Sequence, residues 1–362
     1  MTMLSQIEDM LKELETYRLE DYINLFLETP LHDLLLLADL ITRKLCGKYV
    51  TFTVNLAVNY TNICTLRCPI CAFSRSRDDP DAYLLSPESV AKIVEEAYRS
   101  YGILEVHLNG GLNPDLGPEY FEKMFRLIKQ RAPKVKIKGL TCCEIAYYSR
   151  LWKMSIRETV CRLRDAGLDM LSGGCLEMYN EDVRKVITPG KISGEDWFNV
   201  ARICYENQVP VNATMLFGHI EKPHHVVEHL LKVRDFQEKT GNIVAFIPLK
   251  FSPTNTQLHR SGIVKNECST EYALRVIALS RIVLRDSVRI VSAYWVSLGK
   301  NVAQIAICSG ANDLVGTMIN EKVFMNTGKR ETTTAEELAA LIREAGKQPA
   351  LRDSFGCIVR AM

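Results

Sequence analysis

From Tyr49 onward the chain alternates two rhythms. Short β-branched, apolar runs predict buried strands, and longer stretches with an apolar residue every third or fourth position predict amphipathic helices. Strands are predicted at 50–58, 103–108, 135–140, 168–171, 209–217, 243–249, 288–291 and 313–316, and helices at 87–101, 118–131, 143–151, 155–166, 193–207, 222–240, 270–284 and 297–307. Local punctuation agrees: Ser86-Pro87-Glu88 is an N-cap, a first-turn proline and an early acid, and Gly167 is a C-cap. Eight strand–helix units within 49–330 predict an α/β fold, a single (β/α)8 barrel. A six-stranded partial barrel with the tail as an appendage is the alternative.

Both flanks are predicted to be helical. Residues 1–48 read as an N-terminal cap: Ile7, Met10, Leu11 and Leu14 share one helix face, and a second helix spans 31–45, ended by Gly47. Leu34 to Leu37 sits between Asp33 and Asp39 and reads as a buried helix turn. At the other end 331–362 is expected as a helical tail packed on the barrel, with a helix from Glu331 to Gly346.

Composition narrows the class. The 362 residues are 47% hydrophobic and 24% charged, as in an ordinary globular protein. A net charge of +2 implies no nucleic-acid partner. No run of 18 apolar residues appears, so no membrane span is expected. The first ten residues show no cationic leader, and twelve cysteines then suggest a reducing, cytoplasmic setting rather than a disulfide framework.

Chemistry concentrates at Asn59 to Arg75, where Cys64, Cys68 and Cys71 are spaced C-x3-C-x2-C. Soft thiolates so spaced can converge on one metal centre. A [4Fe–4S] cluster usually takes four cysteines, so three leave one iron open. A structural zinc site would want a fourth Cys or His, and the loop has none. The bland alternative, three buried core cysteines, sits poorly with Arg67, Pro69, Ser74 and Arg75. Phe73 could cover the cluster or an adenine ring.

Other polar residues fall at predicted strand ends, where parallel barrels place their sites. Asn109-Gly110-Gly111 ends the second strand, either as a plain turn or as a close approach to a ligand. Ser172-Gly173-Gly174 leads to Glu177, a candidate acceptor for a ribose diol or else a surface acid. Asn212 and Thr214 share a face of the fifth strand. His219 beside Glu221 is either a proton shuttle and carboxylate donor or a core histidine bonded to that acid. Arg184 suits an aromatic carboxylate, or is a solvated arginine. His107, Thr141, Glu144 and Asn312-Asp313 are lesser candidates. His224, His225 and His229 read as a solvated face.

The cysteine stretch resembles the signature of the radical S-adenosylmethionine (SAM) enzymes. That resemblance implies a [4Fe–4S] cluster on Cys64, Cys68 and Cys71, with SAM on the open iron. It also implies a SAM site that includes Phe73, Asn109, Gly110, Gly111, Glu177, Asn212 and Thr214. Further segments, Asn59 to Cys64, Glu105 to Pro114, Asn212 to Glu221, Ala245 to Leu249 and Gly310 to Asp313, resemble the aminofutalosine synthases of menaquinone biosynthesis. Cyclic dehypoxanthine futalosine synthase and the FO synthase subunit of deazaflavin biosynthesis share much of the pattern. Cys142-Cys143, Gly173 to Glu177 and Phe324 to Gly328 depart from it.

The synthase resemblance implies that SAM is a consumed co-substrate. Its 5′-deoxyadenosyl group would add to the enol-ether double bond of 3-[(1-carboxyvinyl)oxy]benzoate, giving 6-amino-6-deoxyfutalosine and bicarbonate. Arg184 and His219 would meet the substrate carboxylates, and a ferredoxin or flavodoxin would supply the electron. Two other readings stand beside it: a relative in which the radical abstracts hydrogen, and a redox-inert, metal-stapled binding module.

Overall fold

The computed structural model describes residues 3–362, with side chains from Asp9 onward. Met1, Thr2 and the Ile7 side chain, parts of the predicted cap, lie outside the described residues. The barrel is built from parallel strands. Asn55–Asn59 pairs with Glu105–Asn109, which pairs with Lys136–Gly139. Single bridges, Lys138 with Met170 and Leu171 with Val211, carry the ring to Val211–Phe217. Ile243–Lys250 and Ile290–Val291 follow. A Ser292–Asp313 bridge reaches Asp313–Gly316, and a Leu56–Ile319 bridge returns to the first strand. The ring has eight strand positions and closes, so the six-stranded alternative is excluded.

Two strands differ from expectation for physical reasons. The first breaks at Val54 into Tyr49–Thr53 and Asn55–Asn59. The lower half pairs with Asp313–Gly316 and the upper half with Glu105–Asn109, so the chain must bend between them. The fourth is reduced to two bridged residues, because Ser172-Gly173-Gly174 follows at once and cannot extend a ladder.

The N-terminal region forms three helices rather than two: Met3–Thr16, Leu19–Glu28 and Leu31–Cys46. They lie on the outer wall. Arg275, on the helix Thr270–Leu284, donates to the carbonyls of Phe26 (3.1 Å) and Thr29 (2.8 Å), and Thr42 Oγ1 to that of Gly310 (2.9 Å). The predicted helix 297–307 splits at Gly299, whose φ of 82° ends one helix and opens the next.

The C-terminal tail is helical only over Ala335–Glu344, where Thr334 and Glu337 form a capping box. Two strands follow, Gln348–Arg352 and Ile358–Ala361. The first pairs with Tyr49–Thr53 and buries Pro349 to Arg352 against the barrel floor. Arg352 is buried because it meets Asp313, with Nε–Oδ2 at 2.6 Å and Nη2–Oδ1 at 3.2 Å. No described helix is long and apolar enough to cross a membrane.

Candidate active site

The strand C-termini surround a cavity of about 330 Å³. The cysteine loop closes one side of it. Hydrogen bonds from Cys64 N to Arg75 O (3.0 Å), Thr65 N to Leu112 O (3.1 Å) and Gly111 N to Thr61 O (3.0 Å) fix the loop against the end of the second strand. Gly110 and Gly111 make that approach possible. A Cβ at 110 would lie 2.5 Å from Tyr60 Cε2, and one at 111 would lie 2.7 Å from the Ile63 carbonyl carbon and 2.9 Å from Cys64 Cβ. The chain that these glycines admit is the cysteine loop itself.

Cys64, Cys68 and Cys71 all line the cavity. Burial pushes the Cys68 thiol up to about 12, so it is neutral until a metal displaces the proton. Among the described residues no three His, Cys, Asp or Glu side chains are arranged to hold a single metal ion. These three thiols are one fewer than a [4Fe–4S] cluster usually takes, which would leave one iron open to another ligand.

Opposite them the strand ends carry polar groups. Glu177, with φ 48°, pairs with Lys191 at 2.9 Å. Burial works against its charge, but Lys191 holds the carboxyl below the usual range. Thr214 Oγ1 donates to Gly173 O at 2.8 Å, and Gly173 packs against the Asn212 backbone too closely for a Cβ. Asn59 Oδ1 and Asn212 Oδ1 are buried on the cavity wall without a hydrogen-bond partner. Buried acceptors are rarely left so, and two at one cavity fit a hydrogen-bonding ligand such as a nucleotide.

The remaining wall is apolar, formed by Ile247, Leu249, Phe251, Tyr294, Met318 and Phe324. Two carboxyls also line the cavity. Burial raises Glu144 to about 7 even though Tyr60 donates to it at 2.6 Å, and burial raises Glu321 to about 7 as well. His107, deeper in the barrel, is pushed down to about 3 by burial and by Lys138, so it is neutral.

The pattern that defines the Radical SAM superfamily matches residues 58–233, and that of the CofH/MqnC C-terminal region matches 240–356. A 5-amino-6-(D-ribitylamino)uracil--L-tyrosine 4-hydroxyphenyl transferase from Methanopyrus kandleri is 37% identical over 86% of this chain and 85% of its own. The chain belongs to the radical SAM superfamily. The aminodeoxyfutalosine synthase of Thermus thermophilus is 34% identical over 97% of this chain and 95% of its own, and that of Streptomyces coelicolor 33% over 98% and 94%. Among solved structures, methylornithine synthase superposes with a TM-score of 0.73 at 17% identity, covering 95% of this chain and 97% of its own. As a radical SAM enzyme the protein uses a [4Fe–4S] cluster and SAM.

Cys64, Cys68, Cys71, Phe73, Asn109, Gly110, Gly111, Glu177, Asn212 and Thr214 all fall on the one cavity. Arg184 and His219 do not, which corrects the place expected for them. Arg184 is neither solvated nor free for substrate: its guanidinium donates to the carbonyls of Leu176 (2.5 Å), Met178 (2.9 Å), Cys175 (3.3 Å) and Ile192. His219 is the core histidine of the bland reading. Its Nε2 lies 3.0 Å from Leu216 O, and Nδ1 lies 3.0 Å from Glu221 Oε2.

His229 is not on a solvated face. It is fully buried, and Nδ1 accepts from Tyr179 N at 3.1 Å. Asn312 and Asp313 bond to Arg281 and Arg352 below the cavity and are structural. Sequence reasoning missed Lys191, Glu321 and the thiols of Cys143 and Cys175 as cavity residues. None belongs to a spaced motif. Only the departure of Cys143 and Cys175 from the family pattern marked them.

Proposed function

We propose that this enzyme is an aminodeoxyfutalosine synthase, joining the 5′-deoxyadenosyl group of SAM to 3-[(1-carboxyvinyl)oxy]benzoate with uptake of water and release of methionine and bicarbonate. The observation that carries the reading is the single cavity that sets the cysteine loop and the unpartnered acceptors of Asn59 and Asn212 against a wall of Ile247, Leu249, Phe251 and Tyr294. A nucleotide and an aromatic ring would then lie side by side. The near-complete overlap with two relatives of that name supports it.

Cys64, Cys68 and Cys71 would hold the cluster, which when bound and reduced supplies the electron that cleaves SAM. The chain's residues bind and shield. Glu177 would accept from the ribose hydroxyls while Lys191 keeps it ionised. Asn59 and Asn212 would accept from the nucleotide, and Phe73 would cover it. Phe324 and Tyr294 keep water from the aromatic side, which protects a radical from side reactions.

The 37% identity to the M. kandleri transferase favours a second reading, transfer of a 4-hydroxyphenyl-bearing fragment of tyrosine to the ribitylaminouracil. Anaerobic reconstitution, dithionite and SAM with each substrate set separate the two by mass spectrometry. An adenosylated product is expected from the enol ether. Free 5′-deoxyadenosine with a tyrosine-derived product would overturn the first reading. Cys68→Ala should lose both cluster and turnover, and full activity in that variant would refute the ligand assignment.

A further inference from the structure

Among the described cysteines outside the C-x3-C-x2-C stretch, Cys143 and Cys175 are the two that line the cavity. They come from different strand–helix units, and the backbone brings them together. Ser172 N donates to Leu140 O at 2.9 Å, so the segment after the fourth strand runs beside the end of the third. Gly174 then passes Thr141 so closely that a Cβ on it would lie 3.2 Å from Thr141 Cγ2. Thr141 caps the helix Cys142–Leu151, whose second residue is Cys143, and the residue after Gly174 is Cys175. Across this seam the Cys143 thiol donates a hydrogen bond to the Cys175 sulfur.

Cys175 is held in place against its own preference. Its φ of 73° is a left-handed backbone that a residue with a Cβ adopts at a cost. Trp197 Nε1 donates to Gly174 O and Arg184 Nη2 to Cys175 O, each at 3.3 Å, and these bonds pin the turn. The two thiols differ in access. Cys175 is half-buried and open to the cavity, whereas Cys143 is 2% exposed. Lys191 acts on both sulfurs, and a neighbouring cation favours the thiolate, the form that attacks. Cys142, the neighbour of Cys143, is fully buried and off the cavity, so it has no such access.

We propose that Cys143 and Cys175 are a redox-modification site in the cavity wall: a low-molecular-weight disulfide entering the cavity oxidises them to a disulfide, and this bond weakens SAM binding. The Cys175 sulfur attacks the small disulfide, forms a mixed disulfide and releases one thiol. The Cys143 sulfur then attacks Cys175, forms the Cys143–Cys175 bond and releases the second thiol. The two protein thiols lose two electrons and two protons, and the small disulfide gains both. The bond draws the turn at Cys175 toward the helix Cys142–Leu151. Glu177 lies two residues beyond that turn, and Gly173, two residues before it, packs on the Asn212 backbone. The crosslink needs only the meeting of the two sulfurs. Its effect on SAM rests on the reading above that Glu177 and Asn212 meet the nucleotide.

The test treats the reconstituted, iron-loaded protein with bis(2-hydroxyethyl) disulfide under anaerobic conditions. Free thiols are alkylated, linked peptides are mapped by mass spectrometry, iron is counted and SAM binding is measured by calorimetry. Wild type should yield the Cys143–Cys175 link, keep its iron and bind SAM roughly tenfold more weakly, with recovery on adding dithiothreitol. Cys143→Ser should show no link, and its SAM affinity should be the same before and after the reagent. Cys143→Ala serves as the second variant if the serine disturbs folding. Cys357→Ser, which removes an exposed thiol far along the chain, should respond as wild type does. Full alkylation of Cys143 and Cys175 in treated wild type would overturn the modification site. A link that leaves SAM affinity unchanged, or an equal loss of affinity in treated Cys143→Ser, would overturn its effect on SAM. Untreated, iron-loaded wild type that fails to bind SAM would instead refute the reading of the cavity as a nucleotide site, and peptide mapping is independent of that result.

Discussion

Lys191 Nζ and Glu177 Oε1 lie 2.9 Å apart in the cavity wall, with only 14% and 12% of their side chains exposed. Neither charge is tolerable there alone. Lys191→Ala or Glu177→Ala should each cost about 3 kcal/mol in urea unfolding, whereas Lys191→Met/Glu177→Leu should recover most of the loss. Additive losses in the double variant would show that the pair is not coupled.

Glu144 has a different signature. Burial lifts its carboxyl from an ordinary 4.5 to about 7. The native state therefore keeps a proton that the unfolded chain gives up near pH 4.5, and stability from this group falls as pH rises from about 4.5 to 7. Glu144→Gln should flatten that decline by on the order of 2 kcal/mol, read from urea midpoints at pH 5, 6, 7 and 8. Parallel curves for variant and wild type would count against it.

Gly111 admits the cysteine loop to its place. Gly111→Ala would drive a methyl into the Ile63 carbonyl and Cys64 Cβ, both positions that cannot swing aside. Iron bound after anaerobic reconstitution should drop severalfold while the far-ultraviolet spectrum keeps its shape. Full iron content in this variant would show that the loop tolerates the shift.

Arg184 organises the segment from Cys175 to Ile192 by holding four of its carbonyls. Lysine carries one ammonium and cannot serve all four. Arg184→Lys should cost about 2–4 kcal/mol and weaken SAM binding, because the same segment carries Glu177 and Lys191. Iron content should stay at the wild-type level, which separates this lesion from one in the cysteine loop.

Much of this was legible along the chain. Helix Pro118–Arg131 buries Phe121, Met124, Phe125 and Ile128 at helical spacing, helix Thr270–Leu284 is capped by Ser269, and the limits of both match the pattern. The cysteine spacing pointed to a loop that lies on the cavity, because motif spacing is local. Lys191 and Glu321 were invisible because they reach the cavity only through the closed ring. Arg184 was misjudged because a charged residue reads as solvated until its four carbonyl partners are brought round it. The strand Gln348–Arg352 was missed since its partner, Tyr49–Thr53, lies at the other end of the sequence.

That last pairing bears on how the molecule assembles. Thr51 bonds Asp313, 262 residues away, and Asp313 in turn needs Arg352 before its buried charge is met. Contacts so distant in sequence raise contact order, which slows folding. The barrel floor should be the last part to acquire protection from hydrogen exchange during refolding, well after the helix–helix contacts between neighbouring units.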